Sequence, residues 1–107
     1  MTIAALRALA ALEAPSEAET LFGGRSRSWS QVAALWVDLR PSGHRESPDA
    51  AGPPRLVETA EAEARAHPAV RRGRRLKAGG EPWRIVAVVP HAARRGRIVL
   101  KLERHWP

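Results

Sequence analysis

From Arg97 to Glu103 hydrophobic and polar residues alternate. Ile98, Leu100 and Leu102 fall on one face of an extended strand, and Arg97, Val99, Lys101 and Glu103 on the other. Upstream, Pro82-Trp-Arg-Ile-Val-Ala-Val-Val-Pro90 is a second such run. A short run, Gly73-Arg-Arg-Leu-Lys77, precedes it across Ala78-Gly79-Gly80. Gly-Gly between two extended runs supplies the positive φ of a tight hairpin. The basic turn Ala92-Ala-Arg-Arg-Gly96 joins the last two runs. The C-terminal third therefore predicts consecutive antiparallel hairpins.

The same pattern, read backwards along the chain, becomes less regular. From Trp29 to Arg40 both faces are apolar: Val32, Ala34 and Trp36 on one, Ala33, Leu35, Val37 and Leu39 on the other. That predicts a strand buried on both sides, with Trp36 in the core. Leu56 to His67 sets propensity against period. Its Ala and Glu content favours a helix. Ala60, Ala62, Ala64 and Ala66 nevertheless alternate strictly with Glu61, Glu63, Arg65 and His67, which is a strand period with the alanines inward. The period decides, and a strand is expected. Between residues 3 and 14, Leu6, Leu9 and Leu12 suit a short helix, whereas Pro15 disfavours helical geometry just before it. Helix and edge strand stay open there.

Two segments read as connections. Ser16 to Ser28 is polar, with Gly23-Gly24 as its turn. Pro41 to Pro54 holds four prolines, and proline cannot donate to a sheet ladder, so this is the expected long loop after the second strand. Connections of that length are commonly functional. The fold class is thus all-β, a small antiparallel barrel in one domain spanning residues 1–107. Strands are expected near 6–14, 31–40, 56–67, 74–78, 83–89 and 97–104. The core is expected from Leu35, Val37, Leu76, Ile85, Val88, Ile98, Leu100 and Leu102.

Composition narrows the functions. A chain of 107 residues without cysteine has one modest core, no disulfide and no thiolate metal site. No apolar run is long enough to cross a membrane as a helix, and the N-terminus lacks a basic n-region, so a soluble, unprocessed chain is expected. Charge is unevenly spread: residues 1–64 hold six Lys/Arg and nine Asp/Glu, whereas residues 65–107 hold twelve and two. The halves carry −3 and +10, which sum to the net +7. A nearby polyanion or an acidic partner would suit the basic half; so would a plain solvated surface.

Catalytic chemistry has no visible address. His44, His67, His91 and His105 stand singly, without metal-ligand spacing, and read as solvated turn histidines. No serine lies in a Gly-x-Ser-x-Gly elbow, and Gly23-Gly24 and Gly79-Gly80 lack the flanking residues of a phosphate loop. No catalytic, cofactor or metal residue is nominated. The basic clusters carry more: Arg71, Arg72, Arg74, Arg75 and Lys77 before one hairpin, Arg94, Arg95 and Arg97 around the next turn. On one rim they could meet phosphates or carboxylates without reading sequence. Only Trp83 and Trp106 lie near, which is thin aromatic support for a single-strand binder.

A resemblance then becomes usable. Trp29-x-x-Val32-Ala33-x-Leu35-Trp36-Val37, Leu39-x-Pro41-Ser42-Gly43, Gly73-x-Arg75-Leu76, Gly79-Gly80-x-x-Trp83-x-Ile85-x-Ala87-Val88 and Leu100-x-Leu102-Glu103 follow in that order. Together they resemble the tailed-phage head–tail joining family, the head-closure or stopper proteins. Leu6-Arg7 with Glu13-Ala14-Pro15 is similar to that family's opening strand. The alanine-rich 56–67 segment and the short entry before Leu6 depart from the pattern. The Ala- and Arg-rich composition also suits a domesticated phage relative, such as a gene transfer agent of an alphaproteobacterium.

The resemblance implies a structural β-barrel and no enzyme. It implies a homo-oligomeric ring, sixfold or alternatively twelvefold, between a portal-adaptor protein and a tail terminator protein. Double-stranded DNA would pass through without sequence recognition. The place would be the head–tail interface of a particle assembled in the bacterial cytoplasm. It also implies a channel or gating loop that begins at Pro41, Ser42, Gly43, His44 and Arg45. Arg71, Arg72, Arg74, Arg75, Arg94, Arg95 and Arg97 would form a DNA-facing or subunit-facing rim. The competing reading is a free-standing basic barrel that binds nucleic acid as a monomer.

Overall fold

In the computed structural model, which describes residues 7–19, 21, 23–47 and 55–105, the six strands are β1 (Ala8–Glu19), β2 (Arg25–Ser47), β3 (Arg55–Arg65), β4 (Arg75–Lys77), β5 (Trp83–Pro90) and β6 (Arg97–His105). No described residue is helical. All pairings are antiparallel, in the order β1-β2-β3-β6-β5-β4, and β4 pairs back onto β1 through Ala11↔Lys77, Leu12↔Leu76 and Glu13↔Arg75. The sheet thus closes on itself, with the three-residue β4 as its seam. Gly79 (φ 71°) and Gly80 (φ 66°) both adopt positive φ between β4 and β5, as the Gly-Gly hairpin requires.

Period overrules propensity at 56–67. Ala60, Ala62 and Ala64 are buried at the inner face of β3, and Glu61 and Glu63 line the outer face. The register explains the small side chains. Ala62 stands beside Leu39 on β2 and Leu100 on β6, and Ala64 beside Val37 and Ile98. The bulky partners fill the interior, and β3 has room only for methyl groups. Of the expected core, Leu35, Val37, Leu76, Ile85, Leu100 and Leu102 are buried, and Val88 and Ile98 pack partly buried against them. Leu12, Ala10, Val57, Val70 and Trp83 complete it.

Three expectations need correction. The sequence suggests a polar connection at 16–28, but β1 runs on to Glu19 and β2 starts at Arg25, so most of it is a ladder with Ser16 opposite Ser28. The expected loop at 41–54 is strand as far as Ser47, pairing Pro41 with Ala60 and Arg45 with Val57; residues 48–54 lie outside the described ones. Both departures have one cause. The β4 ladder stops at Glu13 and the β1 ladder on β2 stops at Val37, so Pro15 and Pro41 sit where their strand has a neighbour on one side only. There the missing N–H can face away from the ladder. The third concerns β2, which is buried on one face, not two: Leu35 and Val37 point inward, whereas Trp36 is 56% exposed and Val32 44%. The segment left open between helix and strand is strand from Ala8 onward, and residues 3–6 lie outside the described ones.

Register shifts bend this sheet. Leu12 faces Ala33 and Glu13 faces Gln31, which leaves Val32 unopposed; Ser42 and Val86 are left unopposed in the same way. Each extra residue kinks and twists its strand, and here they let a 23-residue β2 serve both β1 and β3. The chain is elongated as a result, 58 × 31 × 22 Å.

Candidate functional site

The residues nominated for a gating loop form part of the β2–β3 hairpin. Ser42 Oγ donates to Thr59 Oγ1 at 2.9 Å, and Thr59 Oγ1 donates to the Gly43 carbonyl at 3.2 Å, which ties the bulge to β3. Gly43 has φ 136°, a conformation that a side chain would strain. Arg45 donates through Nε to Glu103 Oε1 at 2.8 Å and through Nη2 to the same oxygen. His44 stands opposite Glu58 in register. Pro41 to Arg45 thus make a stem anchored to β3 and β6.

The nominated basic residues do not share one rim. Arg75 stands opposite Arg84, and Arg84 opposite Glu103, near the C-terminal end of β6. Arg97 opens β6, six residues away, or about 20 Å at the rise of a strand. Arg71, Arg72 and Arg74 lie on the crossover between β3 and β4. It leaves the Arg97 end through the Ala66 N–H bond to the Gly96 carbonyl, and reaches β5 where Gly73 N–H bonds the Ile85 carbonyl.

Most of these cations are occupied. Arg94 donates to Glu63 Oε1 at 2.5 Å and Arg97 to Glu63 Oε2 at 2.8 Å. Arg75 donates to Glu13 at 2.6 Å while its guanidinium stacks 4.3 Å from the Trp29 ring. Arg74 bonds the Ala69 carbonyl at 2.6 Å, and Arg71 the Pro68 carbonyl at 3.3 Å. Arg72 and Arg95 remain exposed, with no ion pair among the described residues.

The partners of the acids that organise this surface escape a sequence reading. Glu63 collects Arg94, Arg97 and the His91 ring, whose Nε2 lies 3.2 Å from Oε1. Nδ1 of His91 accepts the backbone N–H groups of Ala93 and Arg94 at 3.0 and 2.9 Å, so this histidine also ties its own turn. His67 does the same for Ala69 at 3.0 Å. Glu61 pairs with Lys101, and Glu58 with Arg104 at 2.8 Å. Arg104 in turn lies 4.0 Å over the buried Trp83 ring. Glu103 is buried and holds both Arg45 and Arg84. Alternation marks Glu61 and Glu63 as outward, but only the β3–β6 register shows which cations stand across from them.

A cleft of about 280 Å³ opens among Trp29, Arg75, Arg84, Glu103 and Arg104. Each of its guanidiniums is held by a glutamate, Arg75 by Glu13, Arg84 by Glu103 and Arg104 by Glu58, which weakens its field for an anion. Among the described residues no group of three or more His, Asp or Glu could hold a metal ion. The unneutralised feature is apolar: Leu9 and Trp36, each 56% exposed, stand opposite one another on the outer face of β1 and β2, with Val32 beyond.

A closed, six-stranded antiparallel sheet with a very long, twice-bulged second strand and an ion-paired outer surface defines a structural β-domain. The sequence profile of the phage head completion proteins matches residues 1–104, and the chain belongs to that family. Comparison with curated proteins gives no significant match. Among solved structures, a chain from the virion of a native gene transfer agent particle is similar at 21% identity. The similarity covers 92% of this chain and 93% of that one, with a TM-score of 0.67. At that identity the likeness speaks for the shared fold. Family membership makes the chain a structural component of a phage-type head.

Proposed function

We propose that this chain is a head–tail connector subunit, which forms a ring beneath the portal and its adaptor and receives the tail. The observation that carries the reading is the match of the head completion family over residues 1–104. The closed sheet supports it, because that is the small barrel expected of a stopper. The β2–β3 hairpin is the element that reaches the DNA channel, with Pro41, Ser42, Gly43, His44 and Arg45 in its stem. A stem fixed to Thr59 and Glu103 gives the hairpin a rigid base, as a channel constriction needs.

Arg72 and Arg95 are the members of the nominated rim available to DNA. A few exposed charges per subunit, multiplied by a ring, give contacts that are weak, repeated and indifferent to base identity, so the duplex can slide. The paired state of Arg75, Arg94 and Arg97 argues against a free-standing nucleic-acid-binding module, which needs its cations free. The head completion family supports a structural role.

Particles assembled without this chain test the proposal. Heads that package DNA but lose it, and that carry no tails, are the expected product. Tailed particles that retain their DNA would refute it.

A further inference from the structure

The β1–β2 hairpin extends past the rest of the sheet and ends in two unpaired edges. The β3 ladder on β2 begins only at Val37, so from Arg25 to Trp36 the side of β2 away from β1 has no ladder partner among the described residues. The β4 ladder on β1 stops at Glu13, so the far side of Ala14–Glu19 also has no ladder partner among the described residues. Unpaired edges are templates for another strand, and proteins commonly blunt them with proline or charge. β1 carries Pro15; β2 from Arg25 to Trp36 contains neither proline nor glycine. On β2 along this open edge Trp36 and Val32 are half-exposed, and Leu9 on β1 stands opposite Trp36.

We infer that the open β2 edge takes the β1 edge of a neighbouring copy of this chain, so that the hairpins of successive subunits join into one continuous sheet. Direction and charge both favour this occupant. In a ring whose hairpins all point the same way, the neighbour's β1 runs antiparallel to β2, as its own β1 does. Within the hairpin Glu17 stands opposite Arg27 and Glu19 opposite Arg25. Setting a neighbour's β1 against β2 at the same height repeats that pairing between subunits, with acidic and basic positions alternating around the ring. Two β1 edges together would set acid beside acid. Pro15 removes one donor from the inserted β1 edge, which limits indiscriminate strand addition while leaving its carbonyl usable. The added strand also extends the sheet face bearing Trp36 and Val32, which narrows their access to water. This inference rests on the ring proposed above.

Because the chain has no cysteine, disulfide trapping can test it directly. Two chains are made, one with Ser16→Cys and one with Ser28→Cys, and particles are assembled from the mixture. Ser16 and Ser28 face one another inside a hairpin, so with one cysteine per chain a bond between them can form only across subunits. Directly opposite antiparallel positions lie within disulfide range. After mild oxidation of the particles, a crosslinked pair containing both variants is expected, and adding Trp36→Lys to the Ser28→Cys chain should diminish it at least several-fold. Higher oligomers captured by an amine crosslinker without the 16–28 disulfide would overturn the edge pairing and leave the ring standing. Monomers alone under the amine crosslinker would overturn both. Self-crosslinking of a Ser30→Cys chain would show β2 edges meeting each other, and would also overturn the inference.

Discussion

Ala62, Trp36 and Trp83 illustrate how tightly single residues are constrained. Ala62 is fully buried between Leu39 and Leu100, and the interior leaves it no space to grow. Ala62→Leu should therefore destabilise the chain by about 1–3 kcal/mol through overpacking, measured by urea denaturation of the isolated subunit. Trp83 and Trp36 make the opposite pair of cases. Trp83 is 2% exposed beneath the Arg104 guanidinium, and Trp83→Ala should cost about 3–5 kcal/mol. Trp36 is 56% exposed, and Trp36→Ser should change the stability of the isolated chain by no more than about 0.5 kcal/mol. Equal losses for the two would contradict the assignment of faces on β2. The sequence alone suggests a core role for Trp36, because the run around it is apolar on both sides and nothing local marks which side meets solvent.

At the scale of elements, the β2–β3 hairpin separates folding from function. Its stem is paired from Val37↔Ala64 to Ser47↔Arg55, which sets the hairpin's register through described residues alone. Replacing residues 48–54 by Asn-Gly, which favours a tight hairpin turn, should leave the melting temperature within a few degrees of the parent. The same change should impair DNA retention in particles if this connection constricts the channel, and normal retention would remove the gate from the proposal. The stem itself is not expendable. Gly43 adopts φ 136° beside the bulge at Ser42, so Gly43→Val should destabilise the hairpin and weaken the Thr59 tie.

For the whole molecule, net charge and free charge differ. The chain carries +7, yet Arg75, Arg94, Arg97, Arg104 and Arg45 are each held by a glutamate from another strand. The acid-rich first part of the chain supplies Glu13, Glu58, Glu61 and Glu63, and the basic last part supplies most of their partners. Five cations of the basic part, Arg75, Arg94, Arg97, Lys101 and Arg104, thus go to pairing with acids of the first part. Isolated subunits should consequently bind duplex DNA weakly and without sequence preference. Arg72→Ser with Arg95→Ser should reduce that binding and flatten its salt dependence, at a stability change of about 0.5 kcal/mol or less. Submicromolar, sequence-specific binding at physiological salt, measured by fluorescence anisotropy, would contradict the connector reading.

The features legible along the chain are local: the period-two alternation of β3 and β6, the glycine pair at 79–80, and the buried set from Leu76 to Leu102. Those signals need only neighbours along the chain, since side-chain direction in a strand follows from position parity. The order of the family motifs was legible too, because it is a property of the chain and not of its folding. Tertiary structure decided everything that depends on register: that Pro15 and Pro41 sit in strands, that Trp36 faces outward while Trp83 is buried, and that the arginines meet Glu13, Glu58, Glu63 and Glu103. A proline breaks a strand only where both sides are paired, and a charge is free only where no opposite charge stands across the ladder. Both conditions are set by which strands lie side by side, a choice made between residues tens of positions apart, so no local pattern in the sequence records it.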